Sequence, residues 1–268
     1  MSCACGHHHP RQDGCAPGGT AIPLARPMIA LNGRLICTDA AQMMTALSLL
    51  PDHVELSRAE PGCLHFDIRQ DDDPLIWNLA ELFTDEDAFA AHKARTGNSL
   101  WGQASGAITR DFHQHDILPA IRAETATDHA AIDALLQAAF EGPDEARLVR
   151  LLRDQGDLSL SLVAHAAGTI LGHVALSPIG GDRPALALAP VAVTPRAQRL
   201  GIGSALIRDA IARSGGLPIV VLGDPAYYGR FGFAPADLDS VYAGPCLQTL
   251  GDLPQGCTIR HAPAFAAL

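Results

Sequence analysis

Apolar residues along this chain recur with two periods, and the switches between them mark its elements. Residues 29–37 read as a strand, and residues 40–50 as a helix with Asp39 placed to cap it and Met43, Met44, Leu47 and Leu50 on one side. The turn Glu60-Pro-Gly-Cys63 leads into strands at 64–69 and 75–83, joined by the acidic turn Asp71-Asp72-Asp73-Pro74. A helix over 85–95 and a strand over 104–112 follow, and then a polar stretch, His113 to Pro119, that ends in proline and reads as a linker. The pattern restarts with a strand at 120–124. Asp128 then caps a helix carrying Ile132, Leu135, Leu136, Ala139 and Phe140; residues 145–154 extend it; and strands at 159–164 and 170–176 pair through Ala166-Ala-Gly168. Further strands are expected at 186–193 and 218–222, with closing strands within 237–268, Thr258 to Ala262 foremost. The chain thus divides into a tail (1–26), a first unit (27–113), a linker (114–119) and a second unit (120–268).

The stretch 186–213 carries the clearest chemistry. Leu186, Leu188, Val191 and Val193 form a strand, Thr194 and Pro195 break it, Gln198, Gly201 and Gly203 open a loop, and Ile202, Leu206, Ile207, Ala210 and Ile211 recur at helical spacing. The first amides of a helix have no partner within it and lie at the positive end of its dipole, so they bind anions. Glycine there lets a phosphate approach the backbone, and Arg199 adds charge. A pair of glycines after a strand also serves simply to tighten a turn. Thr194 to Ala197 separate strand from glycines, unlike the dinucleotide-binding arrangement, in which the glycines follow the strand directly.

Gln198-Arg199-Leu200-Gly201-Ile202-Gly203 resembles the Gln/Arg-x-x-Gly-x-Gly/Ala signature of the GNAT superfamily of acyl-CoA N-acyltransferases. Residues 188–193 resemble that family's splayed fourth strand, and Val221 to Phe233 its strand, short helix and Gly-Phe corner. The likeness runs from about Ile121 to Phe233 and implies a GNAT fold that uses acetyl-CoA as acyl donor. It implies pantetheine on the backbone of Val191, Ala192 and Val193, and diphosphate held at Gln198, Arg199, Leu200, Gly201, Ile202, Gly203 and Ser204. Tyr228 matches the tyrosine that protonates the departing sulfur, with Tyr227 as its neighbouring alternative; Glu141, Glu145 and His173 are candidates for the base. The implied reaction is direct attack by a small-molecule or peptide amine in a ternary complex.

The first unit reads βαββαβ, the ferredoxin-like arrangement. Glu60-Pro-Gly-Cys-Leu64, Ile76-Trp77 through Glu81 and Phe83, and Thr84 through His92 resemble the antibiotic biosynthesis monooxygenase (ABM) superfamily over about 85 residues. That resemblance implies a dimeric α+β barrel, and hence a homodimer here. The overall fold class expected is α+β, an ABM-like domain followed by a GNAT domain. His65, Trp77, Asn78, Glu81 and His92 are the residues able to line a pocket in this half, but alternation puts Trp77, Leu79 and Glu81 on one face and Asn78 and Ala80 on the other. The simpler reading makes Trp77 a core residue and packs His92 at the end of its helix.

With 19 Lys plus Arg against 29 Asp plus Glu, the net charge of −10 disfavours nucleic acid or an anionic membrane as a partner and suits a cationic substrate. No apolar run reaches the length of a membrane span and no signal-peptide core is evident, so a cytoplasmic protein is expected. An odd count of seven cysteines argues against a disulfide framework. Cys3, Cys5, His7, His8, His9 and Cys15 place soft and borderline ligands close together and suit zinc or copper, although their spacing matches no closed zinc-finger pattern and a metal-free tail fits as well. Two other functions stay open: a sensor binding CoA or metal without turnover, and a protein whose ABM half is a cofactor-independent oxygenase.

Overall fold

The computed structural model describes residues 19–140 and 142–267. Strand β1 (Thr20–Ala21) comes first, and its partner lies in the second unit. The first unit follows as β2 (Met28–Ile36), α1 (Ala40–Ala59), β3 (Cys63–Gln70), β4 (Ile76–Phe83), α2 (Glu86–Gly97), α3 (Leu100–Ala104) and β5 (Thr109–Ile117). Its sheet has the order β3-β4-β2-β5, antiparallel throughout. Asp39 and Asp85 cap α1 and α2, each accepting a backbone N–H three residues on.

Two elements differ from the sequence expectation. Helix α1 continues through Pro51 to Ala59 because an interior proline withdraws only one donor, and the helix keeps a buried stripe of Ala46, Leu50, His53 and Ser57. Strand β5 starts later and runs further than residues 104–112, because α3 fills residues 100–104 and β5 then pairs along the whole of β2, from Thr109 opposite Ile36 to Ile117 opposite Met28. The linker placed at 114–119 is therefore mostly strand, held by backbone pairing despite its polar side chains.

The second unit comprises β6 (Ala120–Ala123), α4 (His129–Ala139), α5 (Asp144–Gln155), β7 (Leu160–Ala166), β8 (Thr169–Gly181), β9 (Ala185–Val193), α6 (Ile202–Ala212), β10 (Ile219–Leu222), α7 (Pro225–Tyr228), β11 (Ala234–Pro235), β12 (Leu247–Leu250) and β13 (Ile259–Arg260). Its sheet runs β1-β6-β7-β8-β9-β10-β12-β11, with β13 added to β8. Alternation along β7 explains the three layers: Leu162 and Ala164 face α6 with Ile202, Leu206 and Ile207, whereas Val163 faces α4 and α5 with Ile132, Leu136 and Val149.

The two units share a core. Met28, Ala30 and Leu82, on the sheet face of the first unit away from its helices, join Ile22, Ile121, Leu162 and Ala164 in one apolar cluster. Thr20 and Ala21 pair with Ile121 and Ala120, so the chain is ordered well before Arg26, where the tail was expected to end. Arg196, just ahead of the glycine loop, donates to the carbonyls of Arg58 and Cys63 across the junction.

The helix side of the first sheet buries polar groups at some cost. Glu60 accepts from His92 Nδ1 at 2.9 Å and from Arg95 Nε at 2.7 Å. Glu81 lies deeper, its Oε2 without a hydrogen-bond partner. Burial, reinforced by Glu60 and opposed by Arg95, pushes its carboxyl up to about 8.

Two expectations follow. Leu82→Ala should cost about 2–5 kcal/mol, read as a fall in the denaturant midpoint both by tryptophan fluorescence, which reports only the first unit through Trp77 and Trp101, and by far-ultraviolet dichroism. Because folding raises the pKa of Glu81, its neutral form is the one the fold favours, and the unfolded chain gains by ionising first. The stability of the first unit should therefore be full below about pH 4.5 and fall as pH rises towards about 8, by on the order of 5 kcal/mol in all. Glu81→Gln should flatten that profile in denaturant titrations between those limits.

Candidate functional site

Strands β9 and β10 are parallel, but they pair only at Leu186 with Ile219 and Ala187 with Val220. Beyond Ala187 they part, while β9 keeps its other edge on β8 from Leu188 to Val193. The backbone of Val191 to Val193 is thus left with one edge free of a neighbouring strand. Past it, Arg199 and Gly201 take left-handed conformations, with φ of 66° and 90°, and Gly201 stands at the N-cap of α6 with no side chain capping the helix. The first amides of α6 consequently open outward, the arrangement that binds anions.

A cavity of about 570 Å³ occupies this corner, lined by Val191, Val193, Ala197, Gln198, Arg199, Gly201, Gly203, Ser204, Tyr227, Tyr228 and Arg230. It gathers most of the positions expected to hold the coenzyme. The other three do not line it: Ala192 turns into the core under α4, Ile202 is buried at the start of α6, and Leu200 packs against the core on that side. Arg230 was not foreseen; its guanidinium stacks 3.8 Å from the centre of the Tyr227 ring and brings a second cation to the cavity. The only clue to it in the sequence is its place inside the Tyr-Gly-Arg-Phe-Gly corner.

A second cavity, of about 440 Å³, lies on the other side of Tyr228. Leu148, Leu188, Pro190, Phe140 and Phe265 make its walls apolar, and Glu145, Tyr242 and His261 supply the polar groups. Val191 and Tyr228 line both cavities. Asp224 caps α7, and Gly223 leaves the space Tyr228 occupies: a Cβ there would stand 2.4 Å from the ring. Burial, with a contribution from Tyr227, pushes the Tyr228 phenol up to about 12, so it keeps its proton. Burial holds the His261 imidazole below its ordinary pKa, favouring the neutral ring. The ring stands edge-on to Tyr242, with centroids 5.0 Å apart, and β13 brings it there by pairing with β8. No periodicity in the last 35 residues signals His261 or Tyr242 as wall residues.

Of the three candidate bases, Glu145 lines the second cavity and Glu141 lies outside the described residues. His173 is fully buried elsewhere, its Nε2 2.8 Å from Ser161 Oγ. Glu124 sits against both and, in spite of a burial that opposes its charge, is held well below the usual carboxylate range by His173, 3.8 Å away, and by hydrogen bonds from Arg153 and Ser161. That cluster ties β6, β7 and β8 to α5 and touches neither cavity.

In the first unit, Glu81 and His92 meet in a cavity between helices and sheet, whereas Asn78 is exposed and His65 pairs across to Leu82 on the opposite face. Trp77 is a core residue beside Trp101. The cysteines and histidines proposed as metal ligands, Cys3, Cys5, His7, His8, His9 and Cys15, lie outside the described residues. Among the described residues no group of three or more potential ligands could hold a metal, and no helix is long and apolar enough to cross a membrane.

Residues 129–233 match the family model for the acetyltransferase (GNAT) family, and residues 28–97 that for antibiotic biosynthesis monooxygenase. The uncharacterised N-acetyltransferase YhbS of Escherichia coli (strain K12) is 42% identical over 120 residues, 42% of this chain and 72% of YhbS. YjhQ of the same strain, another uncharacterised N-acetyltransferase, is 36% identical over 129 residues, 44% of this chain and 71% of YjhQ. The crystal structure of E. coli YhbS in complex with CoA matches with a TM-score of 0.51 at 32% identity, covering 55% of this chain and 92% of that one. With the splayed strand, the uncapped glycine turn and a relative matched over most of its length, this chain belongs to the GNAT family of N-acetyltransferases and carries an ABM domain ahead of that fold.

Proposed function

We propose that the chain transfers an acetyl group from acetyl-CoA to an apolar amine by direct attack within a ternary complex. The observation that carries this reading is the pair of cavities sharing Val191 and Tyr228: one has the charge and open amides for a diphosphate, the other has apolar walls and proton acceptors.

The residues present fit the coenzyme. The unpaired edge at Val191 to Val193 offers a strand-like partner to pantetheine, the amides from Arg199 to Ser204 face a diphosphate, and Arg199 and Arg230 add positive charge. Bound acetyl-CoA supplies an activated acyl carbon. An amine in the second cavity is positioned by the apolar walls, and its nitrogen attacks that carbon. The cationic acceptor, favoured by the Glu145 carboxylate as it enters, first loses one proton to water so that its nitrogen has a lone pair for the attack; the C–S bond then breaks, the thiolate takes the proton of Tyr228, and the nitrogen gives its second proton to His261. The YhbS crystal structure with CoA supports the choice of coenzyme.

The homodimer implied by the ABM domain would use the part of its sheet face that the second unit leaves open, around Asn32, Arg34, Asn78 and Ala80. If the chain were a sensor, CoA would bind without release of free thiol on addition of any amine.

Two measurements test the reading. Tyr228→Phe should lower kcat by about 100-fold or more while calorimetry shows unchanged acetyl-CoA affinity; unaltered turnover removes Tyr228 from the acid role. Gly201→Val, which forces a branched residue to a φ of 90° at the mouth of the anion site, should weaken CoA binding by at least roughly tenfold in the same calorimeter.

A further inference from the structure

The cavity of the first unit, about 390 Å³, shares no lining residue with the two cavities beside Tyr228. Its walls are apolar and aromatic, with Leu31, Leu79, Phe66, Phe89, Phe112 and Trp101 among them. Into this surface projects the Glu81 carboxyl, its side chain 5% exposed and its Oε2 unpartnered. Beside it, 3.9 Å away, stands His92 Nε2. His92 Nδ1 lies 2.9 Å from the Glu60 carboxylate, which only accepts, and 3.3 Å from Arg95 Nη2, which only donates; the shorter contact assigns the proton to Nδ1 and leaves Nε2 presenting a lone pair. Its other neighbour is the Thr96 hydroxyl at 3.4 Å.

The charges around this pair are already spoken for. Arg95 bonds Glu60 and Ser57; Arg110 donates to the carbonyls of Ser105 and Ile108 and to the Ser105 hydroxyl. Lys93 lies over the Phe89 ring and 3.6 Å from Glu86. Burial drives His53 down to about 3 and lowers His92, so both rings are neutral. Among the described residues, no cation is paired with Glu81. Once Glu81 gives up its proton, the pocket holds two acceptors 3.9 Å apart among aromatic walls, and that pair calls for a group with more than one N–H and a positive charge. A hydroxyl has a single proton to give; a primary ammonium has three.

We propose that the ABM domain binds a primary amine carrying a compact apolar or aromatic body, with its ammonium bridging Glu81 and His92. This site is separate from the acceptor cavity beside Tyr228 and stands whether or not acetyl transfer occurs as described above. Ion pairing with the incoming ammonium relieves the burial cost that raises the Glu81 carboxyl in the empty pocket.

The test uses the full chain with 2-phenylethylamine and 2-phenylethanol as probes, followed by tryptophan fluorescence. Both tryptophans lie in the first unit and Trp101 lines the cavity, so a ligand in the acceptor cavity is not read. The amine should saturate and bind at least about tenfold more tightly than the alcohol, as a charge-assisted bond requires. Glu81→Gln should bring the amine down to the alcohol's affinity and leave acetyl-CoA binding by calorimetry unchanged. Equal binding of the two probes, absence of saturation with either, or an amine preference that survives in Glu81→Gln would overturn the proposal. The comparison on the unaltered protein decides the matter even if the variant fails to fold.

Discussion

Where β9 leaves β10, the sheet gives up hydrogen bonds that a regular parallel pair would make, and the chemistry of the second unit is arranged around that deficit. Each buried backbone group without a partner costs on the order of 1–3 kcal/mol, so the gap persists only because it opens on a cavity where solvent or a ligand's own amides can fill it. The start of α6 repeats the device. Gly201 caps the helix by conformation alone, leaving donors directed at whatever lies in front of them. Tyr228, seated on the bare backbone of Gly223, stands where these two openings meet the second, mostly apolar cavity.

The rest of the molecule keeps that gap in shape. Eight strands on one path resist closure of the splay, and α4, α5 and α6 brace the faces above and below it. The ABM domain contributes as well. Arg196 reaches from just ahead of the glycine loop to the carbonyls on either side of the turn whose Glu60 holds His92 and Arg95, so one short turn is gripped by groups from both units.

Features set by local chemistry were legible in the sequence, and features set by distant pairing were not. The loop from Gln198 to Ser204 declares itself because its residue types must follow one another closely to shape the left-handed turn that opens α6. Alternation likewise placed Glu81 and Asn78 on opposite faces of β4, and the structure puts Glu81 alone beside His92. The second half of α1 escaped notice because its buried stripe turns polar after Leu50, with His53 and Ser57 taking positions that usually carry leucine. The second half of β5 read as a linker because residues 113–116 are all polar and only their backbone bonds to β2 define them as strand. His261 reaches the second cavity through a two-residue strand paired with β8 some eighty positions earlier, a relation no window of sequence contains.

The topology also bears on how this polypeptide can be divided. Strand β1 is the outermost member of the transferase sheet, yet the whole ABM domain lies between it and β6 in the chain. Severing the polypeptide at Pro119 would take that border strand away with the wrong fragment, along with Ile22 from beneath it. β6 would then face water with its donors and acceptors bare, an invitation to recruit the same strand from another molecule. The ABM domain is in this sense a long excursion from the transferase rather than its prefix, and an isolated transferase that stays monomeric has to keep residues 19–22 grafted ahead of Ala120.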